Sequence, residues 1–73
     1  MHEEYTSVQR RLVRRVRHRM LEREWNVCAL SENAGVSPAQ TYRVFGGEAV
    51  PSLRWIVRIA NALETPVGSL MSD

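Results

Sequence analysis

The stretch GVSPAQTYRVFGG, residues 35–47, limits what this chain can fold into more than any other. Gly35 suits the left-handed position that ends a helix, so any helix before it stops there. Ser37, Pro38 and Gln40 then start a new one at once. The serine oxygen can accept from a backbone amide, the proline φ is preset for the first helical position, and a glutamine three residues after the serine can bond back. Gly46 and Gly47 close this helix after about two turns, shorter than an isolated helix survives in water. Upstream, Asn26 is a good N-cap for a helix over Val27–Ala34. Two short helices therefore meet at a tight glycine turn. They cannot lie antiparallel, and the second projects from the surface.

The rest of the chain also reads as helix. From Ser7 to about Glu24, Val8, Leu12, Val16 and Met20 recur every fourth residue with Val13 beside them, the stripe of an amphipathic helix. Arg10, Arg11, Arg14 and Arg17 fall on the opposite face. Arg19 and Arg23 fall near the stripe, with their stems on apolar surface and their heads in water. Ser52 caps a fourth helix running to Leu63, in which Leu53, Ile56, Val57, Ile59, Ala60 and Leu63 make one apolar face. Thr65 and Pro66 repeat the hydroxyl–proline start and open a short fifth helix from Pro66 to about Met71. No segment alternates as a strand does. The expectation is an all-α, compact five-helix domain over residues 7–71, preceded by a flexible segment over residues 1–6.

The central pair meets the packing demands of a helix-turn-helix. Leu30 and Ala34, Val36 in the turn, and Thr41 with Val44 are small or apolar where the helices must touch, and Ser31 is small enough for close approach. Helical spacing turns Thr41, Val44 and Phe45 inward and leaves Ala39, Tyr42 and Arg43 outward. Phe45 and Trp25 read as core, and Cys28 as a small buried thiol. A lone cysteine forms no internal disulfide and has no CxxC or CxxH companion for zinc.

Composition narrows the function. A chain of 73 residues, 44% hydrophobic, is one globular domain. It buries only about 60–65% of its unfolded surface, so a dimer would help it. Its net charge of +2 is uneven: residues 1–25 hold seven Arg against four Glu. All ten basic residues are arginine, and six lie between Arg10 and Arg19 with no acid among them. That row is either a phosphate-tracking face or a solvated one. His2 and His18 have no aligned nucleophile or carboxylate pair, so catalysis is not expected, nor a metal or other cofactor. No run approaches the roughly 18 apolar residues of a membrane span, and the opening MHEEYTSVQRR lacks a signal segment. The expected location is cytoplasmic, at the nucleoid.

The stretch WNVCALSENAGVSPAQTYRVFGGEAVPSLRWIVRIANALETPVGSL, residues 25–70, resembles the Cro and phage-repressor type of helix-turn-helix protein, also called the XRE family, most visibly in AGVS, PSL and IANAL. The resemblance implies a lambda-repressor-like domain that binds double-stranded DNA, with the third helix in the major groove and the second crossing above it. Carried over position by position, it places Pro38, Ala39, Tyr42 and Arg43 toward the bases, with Gln40 on their flank. Arg43 is the strongest of these, because its fork can hold guanine O6 and N7 together, worth about 1–3 kcal/mol of discrimination. Gln40 divides between closing the capping box and reaching adenine. Tyr42 divides between a sugar, a thymine methyl or a phosphate, and a half-buried place beside Phe45.

The same resemblance implies phosphate contacts from the start of the second helix at Asn26 and Val27, from Ser37, from the Gly46 and Gly47 amides, and from Ser52, Arg54 and Trp55. Trp55 stands where the family commonly has a small or polar residue. It is expected to be wet, donating its indole N–H to phosphate or sitting in an interface, with packing over a neighbouring loop as the alternative. There are departures. Val27 replaces a common glutamine, and Met20, Cys28 and Ala29 replace an arginine and two glutamates, an ion pair exchanged for apolar packing.

Reading a palindromic site needs two copies, and Val67, Leu70 and Met71 of the fifth helix are the expected homodimer contact. No small-molecule ligand is expected. The resulting expectation is a small Cro-like repressor of the kind encoded by phages or mobile elements. The alternative is a protein-interaction module of the same fold: an antitoxin, an antirepressor or a partner of another regulator. Arg43, with no acid on its helix, favours DNA.

Overall fold

The computed structural model describes residues 4–72. Among them are five helices, α1 (Tyr5–Arg23), α2 (Val27–Ala34), α3 (Pro38–Phe45), α4 (Leu53–Ala62) and α5 (Val67–Met71). Three of the starts follow from their caps. Asn26 Oδ1 accepts from the Ala29 amide at 2.8 Å, Ser37 Oγ from the Gln40 amide at 3.3 Å, and Ser52 Oγ from the Trp55 amide at 3.0 Å. The return half of the capping box is not formed, since the Gln40 side chain does not bond back to Ser37. Helix α1 begins two residues before the expected Ser7. Tyr5 and Thr6, placed in the flexible segment, are thus helical, while residues 1–3 of that segment lie outside the described ones.

Three helices end in one way. Glu24, Gly35 and Glu64 take left-handed φ values of 56°, 69° and 51°. The next amide in each case bonds back five residues, Trp25 to the Met20 carbonyl, Val36 to Ser31 and Thr65 to Ala60, at 2.9, 3.0 and 3.0 Å. This satisfies carbonyls that a helix end otherwise leaves open. Only Gly35 announced itself by residue type.

The core is built from Leu12, Val13, Val16 and Met20 of α1, Leu30 and Ala34 of α2, Val44 of α3, the inner face of α4 and Leu70 of α5. Helix α2 packs on α3 and α4, and α1 packs on α5. Trp25 and Phe45 lie half-buried against this core, as do Val67 and Met71. Several expectations are corrected here. The buried stripe of α4 is Trp55, Ile56, Ile59 and Ala60, continued by Leu63, so Leu53 is 73% exposed and Val57 is also outside. Cys28 is exposed, because Val27, Leu30, Ser31 and Ala34 define the inward side of α2 and Cys28 is rotated a quarter turn from it. Leu70, expected at a dimer contact, is 1% exposed inside the chain's own core.

The arginines of α1 do not form one face. Arg11 donates to the Met71 carbonyl and Arg15 to the Ser69 carbonyl, each at 3.3 Å, and Arg23 donates to the Leu63 carbonyl at 2.6 Å. Cations at helix C-termini bond open carbonyls and oppose the negative end of the helix dipole. Three of the seven arginines of α1 are thus committed to holding the ends of α4 and α5, and Arg11, expected to point outward, is half-buried.

Candidate nucleic-acid interface

The projecting helix α3 is fixed from below by hydroxyls. Ser31 Oγ donates to Thr41 Oγ1 at 3.0 Å, and the Trp55 indole N–H donates to the same oxygen at 3.3 Å. Thr41 Oγ1 in turn lies 3.1 Å from the Ser37 carbonyl, to which it donates. One threonine thereby joins α2, α3 and α4, with Ser31 and Thr41 fully buried and their polar atoms satisfied. The Phe45 ring meets Trp55 edge-on, with centroids 6.5 Å apart. Gln9 of α1 donates from Nε2 to the Val44 and Ala49 carbonyls at 3.0 and 2.9 Å, pinning the loop that follows α3. Arg58 donates to the Gly35 carbonyl at 3.0 Å and holds the turn between α2 and α3.

What remains outside is the face assigned to the bases. Pro38, Ala39, Tyr42 and Arg43 are exposed and Gln40 is half-buried. Tyr42 is 57% exposed, so its ring is on this face and not in the half-buried place beside Phe45. Arg43 makes no hydrogen bond or ion pair to the described residues, which leaves its five N–H donors free for a partner. The first turns of α2, α3 and α4 carry no acidic residue. Their amide-rich ends therefore keep their partial positive charge, which suits phosphate. Ser52 and Arg54 are exposed at the start of α4, and the Ser52–Trp55–Thr41 bonds tie that start to α3.

Two groups of expected phosphate donors are engaged elsewhere. The Gly46 and Gly47 amides donate to the Tyr42 and Val44 carbonyls, at 2.9 and 3.2 Å, and finish the helix. The Trp55 indole and main-chain N–H groups are held by Thr41 and Ser52, and its side chain is 3% exposed, so it offers nothing to a phosphate. Asn26 spends its oxygen on its cap, while the Val27 and Cys28 amides stay at the open end of α2. The sequence signal for Trp55 was present: it is one helical repeat before Ile59 and two before Leu63, in the buried row.

Among the described residues no group of three or more His, Cys, Asp or Glu side chains is placed to hold a metal ion. None of the helices of the described residues is long and apolar enough to cross a membrane. Comparison with curated proteins and with solved structures gives no match. A family model described as a helix-turn-helix domain matches residues 11–71. That span contains the capped pair, the glycine turn between them and the helices that support it, and the chain belongs to the helix-turn-helix domain family.

Proposed function

We propose that this protein is a sequence-specific regulator of transcription that binds double-stranded DNA through α3, a small Cro-like repressor acting on a palindromic operator as a homodimer at the nucleoid. The observation that carries the reading is the contrast on α3 itself. Thr41 and Val44 are locked into the interior, while Ala39, Tyr42 and Arg43 stand free on the opposite side. Arg43 reads a guanine through its O6 and N7, and Tyr42 and Ala39 contact neighbouring bases. Ser52, Arg54 and the open amides of α2 set the register on the phosphates. Ser37 and Gln40 stand at the start of the reading helix, Ser37 as its cap and Gln40 at the edge of the base-facing surface. The dimer contact does not include Leu70, and Val67 and Met71 have only part of their surface to offer.

Selection from a random duplex pool, run in parallel on the wild type and on Arg43→Ala, tests this. The expected result is a palindrome for the wild type and loss of preference at one guanine per half-site for the variant, about 1–3 kcal/mol at that position. Absence of any enriched sequence at moderate salt would overturn the reading. Sedimentation with the selected duplex should give two chains per duplex, and one chain would remove the homodimer.

A further inference from the structure

We infer that the groove between α1 and the loop after α3 is a docking site for an acidic amphipathic segment of a partner protein. The groove holds about 840 Å³ and runs along α1 from Tyr5 to Leu21, with residues 44–50 as its opposite wall. Over that length α1 rises roughly 24 Å, about four turns of a docked helix. Tyr5, Leu21 and Val50, three large apolar side chains left exposed by the fold, all border it, and Val13 and Phe45 also line it. Exposed apolar side chains scattered singly need no explanation, but three along the rim of one groove, with Val13 and Phe45 also lining it, do.

The charge of the same groove selects the occupant. Arg10, Arg14, Arg17 and His18 line it, and among the described residues Glu48 is the one carboxylate against them. The other arginines of α1 differ: Arg11, Arg15 and Arg23 are bonded to the carbonyls of α4 and α5. Arg10 and Arg14 make no ion pair or hydrogen bond to the described residues, and both are exposed. The Arg17 guanidinium lies 4.8 Å from the Phe45 ring centroid, which fixes its position while leaving its N–H donors open. A helix that lays an apolar face along Tyr5, Leu21 and Val50 and presents carboxylates to Arg10, Arg14 and Arg17 satisfies both halves of the surface. A DNA backbone satisfies only the charged half and leaves the apolar half wet. The inference does not depend on DNA binding by α3.

The test uses the whole chain and a labelled peptide of roughly 16 residues with leucines at helical spacing and glutamates elsewhere, titrated by fluorescence anisotropy. A second peptide carries lysine in place of every glutamate. The expected outcome is micromolar binding of the glutamate peptide only, weakened about tenfold or more in Arg10→Glu/Arg14→Glu, with the reversed variant gaining the lysine peptide. Amide NMR shifts should follow Tyr5, Leu21 and Val50 and leave Ala39 and Tyr42 unmoved. Equal binding of both peptides, or of neither, overturns the proposal. So does a reversed variant that keeps the glutamate peptide but loses random-sequence duplex affinity by about tenfold, which assigns the arginines to DNA. Both substituted arginine side chains are exposed and bond to none of the described residues, so the variant keeps the fold.

Discussion

The helix-turn-helix and the frame around it are held by different chemistry. In α2 and α3 the contact is narrow and polar at its centre: Ser31, Thr41 and the Trp55 indole share one oxygen in a dry site. In the frame of α1, α4 and α5 the contact is apolar, through Leu12, Val16, Ile59, Leu63 and Leu70, with arginines closing the helix ends. Hydrogen bonds in a dry site depend on direction, so the hydroxyl cluster specifies one angle between the two short helices. Apolar burial has no direction and gives bulk stability. A reading helix needs orientation and its frame needs free energy, and each region is built accordingly.

The largest expected effect lies in the frame. Leu70→Ala should lower unfolding free energy by about 2–5 kcal/mol in urea titrations, from lost burial and the cavity it leaves. Because Leu70 is inside its own chain, the loss should not change with protein concentration. A concentration-dependent loss would return Leu70 to a dimer contact.

Thr41→Val is nearly the same size and leaves the Ser31 hydroxyl and the Trp55 N–H without their partner. The expected loss is about 1–3 kcal/mol, the cost of stranding buried donors. Adding Ser31→Ala should cost less in that background than alone, since the two share one bond, and a double-mutant cycle reads the difference. Additive losses would mean that the cluster does not act as a unit.

Arginine supplies the direct contrast between the regions. Arg23→Ala removes the 2.6 Å bond to the Leu63 carbonyl and the packing of its guanidinium 5.6 Å from the Trp25 ring centroid. A loss of about 1–2 kcal/mol is expected. Arg43→Ala should stay within about 0.5 kcal/mol of the wild type, because the Arg43 side chain is exposed and makes no hydrogen bond or ion pair to the described residues. Equal losses at the two positions would erase the distinction between bracing and reading arginines.

How legible this was from sequence follows from the same chemistry. Caps and turns act within a few residues, so Asn26, Gly35, Ser37 and Ser52 placed the helices where they are found. The inward and outward sides of α3 followed from its period. Helix α4 was harder, since apolar residues run nearly around it. Counting Leu53 and Val57 into its face pushed the buried arc toward the wrong side and left Trp55 outside. The bonds from α1 to carbonyls of α4 and α5 span 40 to 60 residues and leave no local pattern. Amide engagement at Gly46 and Gly47 was equally invisible, because glycine permits a turn without saying which amide it frees.

The smallest expected effect separates the ends of α1 and α2, which share a geometry but not a residue. Gly35 sits at φ 69° with its α-carbon close under Arg58, where an added Cβ would lie 3.2 Å from Nη1. Glycine there avoids both the left-handed strain and a tight approach to the Arg58 side chain. Glu24 holds φ 56° at the end of α1, where a side chain costs about 1–2 kcal/mol relative to the right-handed region. Glu24→Gly relieves that cost but gives the unfolded chain more freedom, worth about 0.4–1 kcal/mol in the other direction. The net expectation is a gain of about 0.5–1 kcal/mol, or a rise of several degrees in Tm for a domain this size. Glu64→Gly should gain less, because it also removes the exposed contact of Glu64 with Arg23 at 3.5 Å. If Glu24→Gly destabilises instead, the left-handed residue is supported by something other than the chain's own turn. The end of α1 would then belong with the oriented region of the molecule and not with its frame.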